Sequence, residues 1–334
     1  MRFGLSLSGM LQHSGDGDMV QRFQDCIHLV QVARELGFDY IYAGHHFLSH
    51  PYQTLQPLPA LARLSAEAGH MDILSTVLVS IANPVQLAEE VATLDVITGG
   101  KMTIAAALGY RDVEYEAFGV KKDERISRMF ETLDLMHQLW KGEEVNFTGK
   151  FHQVTRAHVG VKPIQRPPRV WIAANGDRMI RRIAAKGYTW YLNPHAEHKM
   201  LAEQLAAFRA IRSDAGHPDP DVIPMGRECF VGITDESATK IARPFLESKY
   251  QTYASWGQDK ALPGEQDFQQ PFEKLAAGRF IVGGPQRVQE DLEYFRGLGV
   301  TDVSLRFGWP GMPMKLVEES IQLAASRIFP SLRE

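Results

Sequence analysis

Short apolar runs and amphipathic segments alternate along almost the whole chain. Eight runs have the length and the β-branched or aromatic content of buried strands, and each is followed by apolar residues at helical spacing. Such strand–helix units favour an α/β fold, and eight in succession predict a (β/α)8 TIM barrel. A doubly wound open sheet is the alternative. The predicted strands lie at 2–8, 38–43, 72–81, 99–109, 167–174, 188–193, 224–233 and 300–308.

Several connections between these units carry clear boundary signals. Asn83 can cap a helix that begins at Pro84, because asparagine accepts hydrogen bonds from free helix N–H groups and proline suits the first helical position. Gly37 stands where a glycine ends the preceding helix. The segment 143–154, "EEVNFTGKFHQV", has the pattern of a hairpin.

One long segment does not fit the alternation. Residues 256–278, "WGQDKALPGEQDFQQPFEKLAAG", are polar and rich in Gly, Pro and Gln, and they precede the last strand–helix unit. An irregular insertion of this length in a barrel is typically an active-site lid or a disordered segment, and a surface excursion without function is the other interpretation. We therefore expect a single domain over 1–334 with a mobile lid at 256–278.

Composition narrows the function classes. The 334 residues are 44% hydrophobic, and the net charge is −4 without a long basic run, so neither nucleic acid nor an anionic membrane is expected as a partner. The N-terminus lacks a signal-peptide pattern, and no stretch approaches the roughly 18 apolar residues of a membrane span. Two distant cysteines, Cys26 and Cys229, predict neither a disulfide framework nor a cysteine metal site. We expect a cytoplasmic protein.

Two adjacent histidines, His45 and His46, follow the second predicted strand. Catalytic residues of barrel enzymes lie at the carboxyl ends of the strands, so this position suits chemistry. A metal pair on a strand would need a spacing of two residues, and only His195 and Asp235 offer further ligands, so no metal site is expected. Proton transfer beside a cofactor and a plain structural role both remain open, since imidazole titrates near neutral pH.

Two further strand ends carry candidate binding residues. At 173–179, "AANGDRM", a strand runs into Asn175 and Gly176 and a helix opens at once, which either places an anion at free helix N–H groups or only makes a tight turn. Arg178 lies nearby. At 107–112, "ALGYRD", Tyr110 and Arg111 could supply an aromatic wall and a guanidinium for a phosphate. No P-loop and no G-x-G-x-x-G motif occurs.

Taken in order, these junctions resemble the bacterial luciferase-like, flavin-dependent monooxygenase family. The resemblance covers nearly the whole chain, and its second and third segments are the most specific. The segments are "LGFDYIYAGHHF", "NPVQLAEEVATLDVITGGKM", "LGYRDVEYEAFGV" with "LMHQLWKGEEVNFTGKFHQV", "KPIQRPPRVWIAANG" and "IVGGPQRVQEDLEYF". The resemblance implies a TIM barrel with an insertion before the last strand–helix unit.

The resemblance also implies a chemistry. Reduced FMN, usually delivered by a separate flavin reductase, reacts with molecular oxygen to give a peroxide at ring carbon 4a, which oxygenates the substrate. Aromatic residues at strand ends suit a small hydrophobic organic substrate; they are Phe47, Tyr110, Trp190, Phe307 and Trp309. Family members commonly form homodimers through barrel helices, and those that start near "PLPALARL" and "NPVQLAEE" are the candidates.

The family's site residues map onto this chain by position. The resemblance assigns proton transfer beside the flavin ring to His45, and a supporting or substrate contact to His46. It places a non-proline cis peptide under the flavin at Ser75–Thr76. It places the flavin phosphate near Leu108 to Arg111 and near Asn175 to Met179.

Some positions depart from the family pattern. Gly44 replaces the glutamate that commonly precedes the histidine pair, so a carboxylate that could tune the imidazole is missing. Leu108 occupies the position of a phosphate-binding arginine, which Arg111 could replace, and Ala107 stands where luciferase has a cysteine near the flavin. Asn175–Gly176 replaces a Glu-Ser pair, so the phosphate would depend more on backbone N–H groups.

Three other functions stay open on the sequence. An oxidoreductase that uses the deazaflavin F420 shares the barrel and transfers hydride without activating oxygen. A flavin-holding protein without turnover is a second alternative, and a metal-dependent barrel hydrolase is a third.

Overall fold

The computed structural model describes residues 1–264 and 266–333; Glu265, which falls in the predicted insertion, and Glu334 lie outside the described residues. Thirteen strands occur within this part of the chain. They are β1 (Arg2–Ser6), β2 (Gln12–Ser14), β3 (Tyr40–Gly44), β4 (Tyr52–Thr54), β5 (Asp72–Leu78), β6 (Met102–Ala107), β7 (Val145–Thr148), β8 (Gln153–Ala157), β9 (Arg169–Ala173), β10 (Trp190–Tyr191), β11 (Pro224–Val231), β12 (Ile281–Gly283) and β13 (Asp302–Arg306).

Twelve α-helices lie in the same described ranges, and most connect successive strands. They are α1 (Met19–Glu35), α2 (Pro57–Ala68), α3 (Pro84–Ile97), α4 (Asp112–Ala117), α5 (Arg125–Trp140), α6 (Asp177–Ala185), α7 (His198–Asp214), α8 (Asp235–Ser255), α9 (Phe272–Ala276), α10 (Pro285–Gly297), α11 (Met314–Arg327) and α12 (Phe329–Arg333). Single 3-10 turns occupy Val79–Ile81, Lys122–Glu124 and Asp259–Ala261.

Nine strands form one parallel sheet in the order β10-β9-β6-β5-β3-β1-β13-β11-β12. The two ends of the sheet approach each other: Leu192, which follows β10, forms a parallel bridge with Met225 of β11. Strands that are covered by helices on one face and packed together on the other bury almost every residue, as all eight residues of β11 do. The carboxyl ends of the strands therefore meet at one edge, which is where the candidate site lies.

The predicted strands are all present, but the eight-strand count is too low for this sheet. Each predicted run contains one of the parallel strands, and β12 is the additional one. β12 has only three residues and is followed by Gly284 and Pro285, so it lacks the length of a recognisable strand pattern. It is held by its pairing with β11.

The local boundary predictions are confirmed. The Asn83 side chain accepts hydrogen bonds from the N–H groups of Val85 and Gln86 at the start of α3. Gly37 has φ +76°, the left-handed conformation that glycine adopts without steric penalty, and it follows the end of α1. The predicted hairpin at 143–154 is formed by the antiparallel strands β7 and β8.

Residues 256–278 connect α8 to β12 and are less irregular than the sequence suggests. They include the 3-10 turn at Asp259–Ala261 and the short helix α9. Phe268 and Phe272 within this segment are buried, so part of it packs on the body of the protein. In the described ranges, no helix combines the length and the apolar character needed to cross a lipid bilayer.

Candidate active site

A cavity of about 510 Å³ opens at the carboxyl ends of the parallel strands. Ten of the twelve residues predicted for the site line it, and they come from four neighbouring strands. They are His45, His46, Thr76, Ala107, Leu108, Tyr110, Asn175, Gly176, Arg178 and Met179. Ser75 and Arg111 are buried outside this lining.

His45 directly follows β3 and faces the cavity. Its Nδ1 is buried and has no hydrogen-bond partner within the described residues. Burial, and then the neighbouring His46 ring, lower the pKa of His45 to about 4. The imidazole is therefore neutral at pH 7 and has a free ring nitrogen, and its pKa lies well below the near-neutral value expected from the sequence.

His46 lies among aromatic rings and near a buried carboxylate. Its ring makes edge-on or tilted contacts with Tyr110, Tyr253 and Trp256 at 5.4–6.0 Å between centroids. Its Nδ1 lies 3.5 Å from Oε1 of Glu114, a residue of α4 whose side chain is 1% exposed. Glu114 of α4 therefore places a carboxylate near the histidine pair, although Gly44 replaces the glutamate that commonly precedes this pair in the family.

Arg111, which was predicted to replace the phosphate-binding arginine, is not among the residues that line the cavity. Its guanidinium donates to the carbonyls of Phe47 at 2.6 Å and Leu48 at 2.9 Å and lies 4.2 Å from the Trp256 ring centroid. It is also within 3.6 Å of Glu114. In this arrangement Arg111 binds the loop that follows the histidine pair.

The prediction of a cis peptide at Ser75–Thr76 is wrong, since the cis bonds of the described residues are His50–Pro51 and Arg166–Pro167. Ser75 and Thr76 continue β5, with regular register to β3 on one side and β6 on the other. A trans bond keeps this pairing and is the lower-energy form for a non-proline residue. Thr76 nonetheless lines the cavity and hydrogen bonds through Oγ1 to the Tyr42 hydroxyl at 3.0 Å.

Basic side chains surround the outer part of the cavity. Lys122, in the 3-10 turn before α5, and Arg125, the first residue of α5, line it together with Arg178 of α6; Lys122 pairs with Asp112 at 2.6 Å. Gly176 precedes α6, and a side chain placed there would meet no described atom within 4 Å, so the start of this helix is open to a ligand. Lys122 and Arg125 were not predicted, because they lie beyond the strand ends; the signal in the sequence is the charged segment "KKDER" shortly after "ALGYRD".

The opposite, inner part of the cavity is polar and aromatic. It is lined from β10, β13 and α8 by Tyr191, Asn193, His195, Tyr253 and Arg306. Of the five strand-end aromatics predicted for the pocket, Tyr110 lines it, whereas Trp190, Phe307 and Trp309 are fully packed in the core and Phe47 lies on Phe118. Strand residues alternate between two faces, and the sequence does not say which face is inside.

A buried ion cluster lies behind this inner wall. Glu228 of β11 accepts hydrogen bonds from Lys249 and from Trp309 Nε1, the latter at 2.6 Å, and lies 3.3 Å from Arg306. Despite burial, the charges of Lys249 and Arg306 hold the pKa of Glu228 below its ordinary value. Burial, and then the charge of Arg306, lower the pKa of Lys249 to about 7. Throughout the described ranges, no three His, Cys, Asp or Glu side chains come together as a metal site.

Comparisons with known proteins agree with this architecture. The family model for luciferase-like monooxygenases matches residues 1–302. The oxygenase component of a flavin-dependent trigonelline monooxygenase from Acinetobacter baylyi is 23% identical over 350 residues, covering 100% of this chain and 96% of that protein. The solved structure of monooxygenase RslO1 from Streptomyces bottropensis superposes with a TM-score of 0.86 at 23% identity, covering 99% of this chain and 100% of that one.

Relatives that use a different cofactor are also similar. An F420-dependent hydroxymycolic acid dehydrogenase from Mycobacterium tuberculosis is 28% identical over 218 residues, covering 62% of this chain and 59% of that protein. The chain belongs to the luciferase-like monooxygenase family. It has the family's α/β architecture, and its relatives include flavin-dependent monooxygenases and F420-dependent oxidoreductases.

Proposed function

We propose that this protein is a monooxygenase that uses reduced FMN and molecular oxygen to oxygenate a small organic substrate with a hydrophobic body. The observation that carries the proposal is the cavity wall on which His45, Thr76, Ala107 and Asn175 face one space from four adjacent strand ends. Bound reduced flavin supplies the electrons for oxygen activation. We further propose a single (β/α)8 barrel domain over 1–334, with β12 as an addition to the eight barrel strands.

The residues present fit a flavin with a terminal phosphate. The side chains of Lys122, Arg125 and Arg178 would hold the phosphate at the outer end, together with free N–H groups at the start of α6. Leu108, Tyr110 and Met179 would contact the ring system, since they line the same cavity nearer the strands. The isolated Nδ1 of His45 would gain a partner there.

His45 would then hold or move a proton at Nδ1. With a pKa of about 4 the ring is neutral at pH 7, so it can accept a proton from a neighbouring group. A negative charge placed beside the ring would raise this pKa, because the charged imidazolium would gain an opposite charge. His46 is held by Glu114 and aromatic neighbours, which suits a role in orienting the loop and contacting substrate.

Water exclusion would fall to the segment 256–278, which we propose as the lid. Trp256 at its start stacks on Tyr253 with ring centroids 5.2 Å apart and donates from Nε1 to the His50 carbonyl at 3.1 Å. Gln258 and Lys260, further along, line the cavity. A closed, dry site favours productive oxygen chemistry over unproductive loss of peroxide.

The preference for FMN over F420 rests on how much of this chain the sequence alignments with relatives cover. By sequence, the flavin-dependent trigonelline monooxygenase aligns along 100% of this chain and the F420-dependent dehydrogenase along 62%, although F420-dependent enzymes of the same fold superpose along 99–100% of it. Anaerobic titrations with reduced FMN and with reduced F420 test the cofactor: we expect micromolar or tighter binding of FMN alone. Exclusive binding of F420 would support the hydride-transferring alternative and overturn the oxygenase proposal.

Two partners belong to the same proposal. A separate flavin reductase would supply reduced FMN, as the designation of the relative as an oxygenase component suggests. A homodimer would form through α2 and α3; Val96 and Ile97 at the end of α3 are 45% and 54% exposed. Analytical ultracentrifugation of the wild type and of a Val96→Glu, Ile97→Glu variant tests this, and an unchanged dimer in the variant would contradict the assigned interface.

A further inference from the structure

The cavity has two walls of different chemistry. The wall from β3, β5, β6 and β9 carries the residues proposed for flavin. The wall from β10, β13 and α8 carries Tyr191, Tyr253 and Arg306 and has no part in that assignment. A substrate that meets the flavin from inside the barrel would lie against this second wall.

Arg306 is the cation of the inner wall, and its donors are not all used. It ends β13, and its side chain is 11% exposed, towards the cavity that it lines. Nη1 lies 3.3 Å from Glu228, but the buried Nε has no hydrogen-bond partner in the described part of the chain. A buried guanidinium with an unpaired N–H is unfavourable unless a ligand completes it.

The buried side chains behind the inner wall carry more positive than negative charge. The fully buried Glu228 pairs with Lys249 and Arg306, and Arg279 pairs with Glu197, which is 46% exposed. Burial first, and then four nearby positive charges, lower the pKa of His195 well below its ordinary value, so this ring is neutral and reports a positive potential. The buried basic groups are the guanidinium groups of Arg227, Arg279 and Arg306 and the amine of Lys249, which with a pKa of about 7 is partly charged at pH 7.

Aromatic groups flank Arg306 on the cavity side. The rings of Tyr42 and Tyr191 lie 5.9 Å apart, and Trp171 stacks on Tyr191 with an interplanar angle of 11°. Burial raises the pKa of Tyr191 well above its ordinary value, so its hydroxyl stays protonated. That hydroxyl, like Nε of Arg306, has no partner among the described residues. Two side chains that line the same cavity, Tyr191 and Arg306, therefore each carry an unpartnered donor beside aromatic rings.

We propose that the substrate is a small planar aromatic carboxylate whose carboxyl group is bound by the Arg306 guanidinium and the Tyr191 hydroxyl. This rests on the proposed function only in taking the inner wall as the substrate side of the site. It refines the expectation of a hydrophobic substrate, because the substrate ring would lie against the aromatic side chains of the inner wall while its carboxylate offsets the excess positive charge. A guanidinium binds a carboxylate through two parallel N–H donors, which fixes orientation as well as affinity.

The test is calorimetric binding of two carboxylates, benzoate and 2-naphthoate, and of their neutral amides, benzamide and 2-naphthamide. We expect the wild type to bind at least one carboxylate about tenfold or more tighter than the matching amide. Arg306→Gln should remove this preference while changing amide affinity by less than about twofold, and Tyr191→Phe should weaken carboxylate binding about fivefold. Arg63→Gln, an exposed residue of α2, is the control for net charge.

The outcomes separate this proposal from the oxygenase proposal, because FMN binding is measured on the same proteins. Loss of carboxylate preference in Arg306→Gln with unchanged FMN affinity supports both. Carboxylate preference that depends on Arg306 in a protein that does not bind FMN supports the anion site and overturns the oxygenase. Carboxylates that fail to bind the wild type, or that bind Arg306→Gln equally well, overturn the anion site. If Arg306→Gln does not fold, Tyr191→Phe decides: a carboxylate preference equal to that of the wild type overturns the anion site.

Discussion

Oε1 of Glu114 accepts a hydrogen bond from the backbone N–H of Phe47 at 3.0 Å. The same oxygen lies 3.5 Å from Nδ1 of His46 and 3.6 Å from Nη1 of Arg111. A buried carboxylate from α4 therefore fixes the loop that carries the histidine pair. The family pattern puts a glutamate before the pair, where this chain has Gly44, and a side chain there would begin 3.0 Å from the Tyr42 hydroxyl.

Replacing Glu114 by alanine should destabilise the protein. The change leaves the Arg111 guanidinium without its buried carboxylate and the Phe47 N–H without an acceptor, which we expect to lower the free energy of unfolding by about 3 kcal/mol. Glu114→Gln is the matched control, since its amide oxygen can still accept from Phe47 and the loss should be smaller. Urea denaturation measures the free energy of unfolding of both variants. Equal losses in Glu114→Ala and Glu114→Gln would contradict the prediction, because they would show that the acceptor for the Phe47 N–H adds nothing beyond the charge.

Replacing His45 by asparagine should reduce turnover and leave flavin binding largely intact. Loss of a proton-transfer group costs about 10²–10⁴-fold in kcat. We expect FMN affinity to change by less than about threefold, because phosphate contacts hold most of the cofactor. His28→Asn on α1, a histidine that is 55% exposed, is the control. Full oxygenation activity in His45→Asn would refute the assigned role.

The basic group at the cavity mouth should recognise phosphate specifically. Lys122→Met and Arg125→Met should each weaken FMN binding about tenfold, because each removes one charged hydrogen-bond donor. Riboflavin has the same ring system without phosphate and serves as the matched ligand, so its affinity should not change. Fluorescence titration of both ligands measures this. Equal weakening of FMN and riboflavin would place the phosphate elsewhere.

The sequence predicts the strands and the histidine pair well, because burial and helical spacing depend on residue type alone. It fails for Arg111, since nothing local says that a guanidinium after strand β6 would bind the carbonyls of Phe47 and Leu48 and not a ligand. The burial and pairing of Glu228 could not be predicted from the sequence either. It lies in the middle of β11 directly after Arg227, and its partners Lys249 and Arg306 come from distant segments.

Trp256 should control the opening of the segment 256–278. Trp256→Ala removes both the Arg111–ring contact and the hydrogen bond to His50, and a cation–π contact of about 1 kcal/mol corresponds to about a fivefold change in the open population. Limited proteolysis should therefore cut within 257–278 about fivefold faster. Trp256→Phe keeps a ring over Arg111 and should have a smaller effect. Equal cleavage of all three proteins would exclude Trp256 as the anchor.

Stability should fall on acidification below pH 6.5. Burial, and then the charge of Arg227, lower the pKa of His198 to about 3, and that of His45 is about 4, whereas unfolded histidine has a pKa of about 6.5. Between these values the unfolded chain binds more protons than the folded one, so stability is complete above pH 6.5 and declines as pH falls towards 4. His198→Gln should reduce the proton uptake on unfolding at pH 5 by about one proton. An unchanged dependence of unfolding free energy on pH would contradict the burial of a neutral His198.

The central claim is that this chain binds reduced flavin and directs its reaction with oxygen. The most direct test is rapid mixing of the anaerobic complex with reduced FMN against oxygenated buffer, with the flavin spectrum recorded through reoxidation. We predict that bound FMN returns to the oxidised form more slowly than free reduced FMN and in more than one phase, because the cavity excludes water. Reoxidation in a single phase at the rate of free FMN would contradict the account.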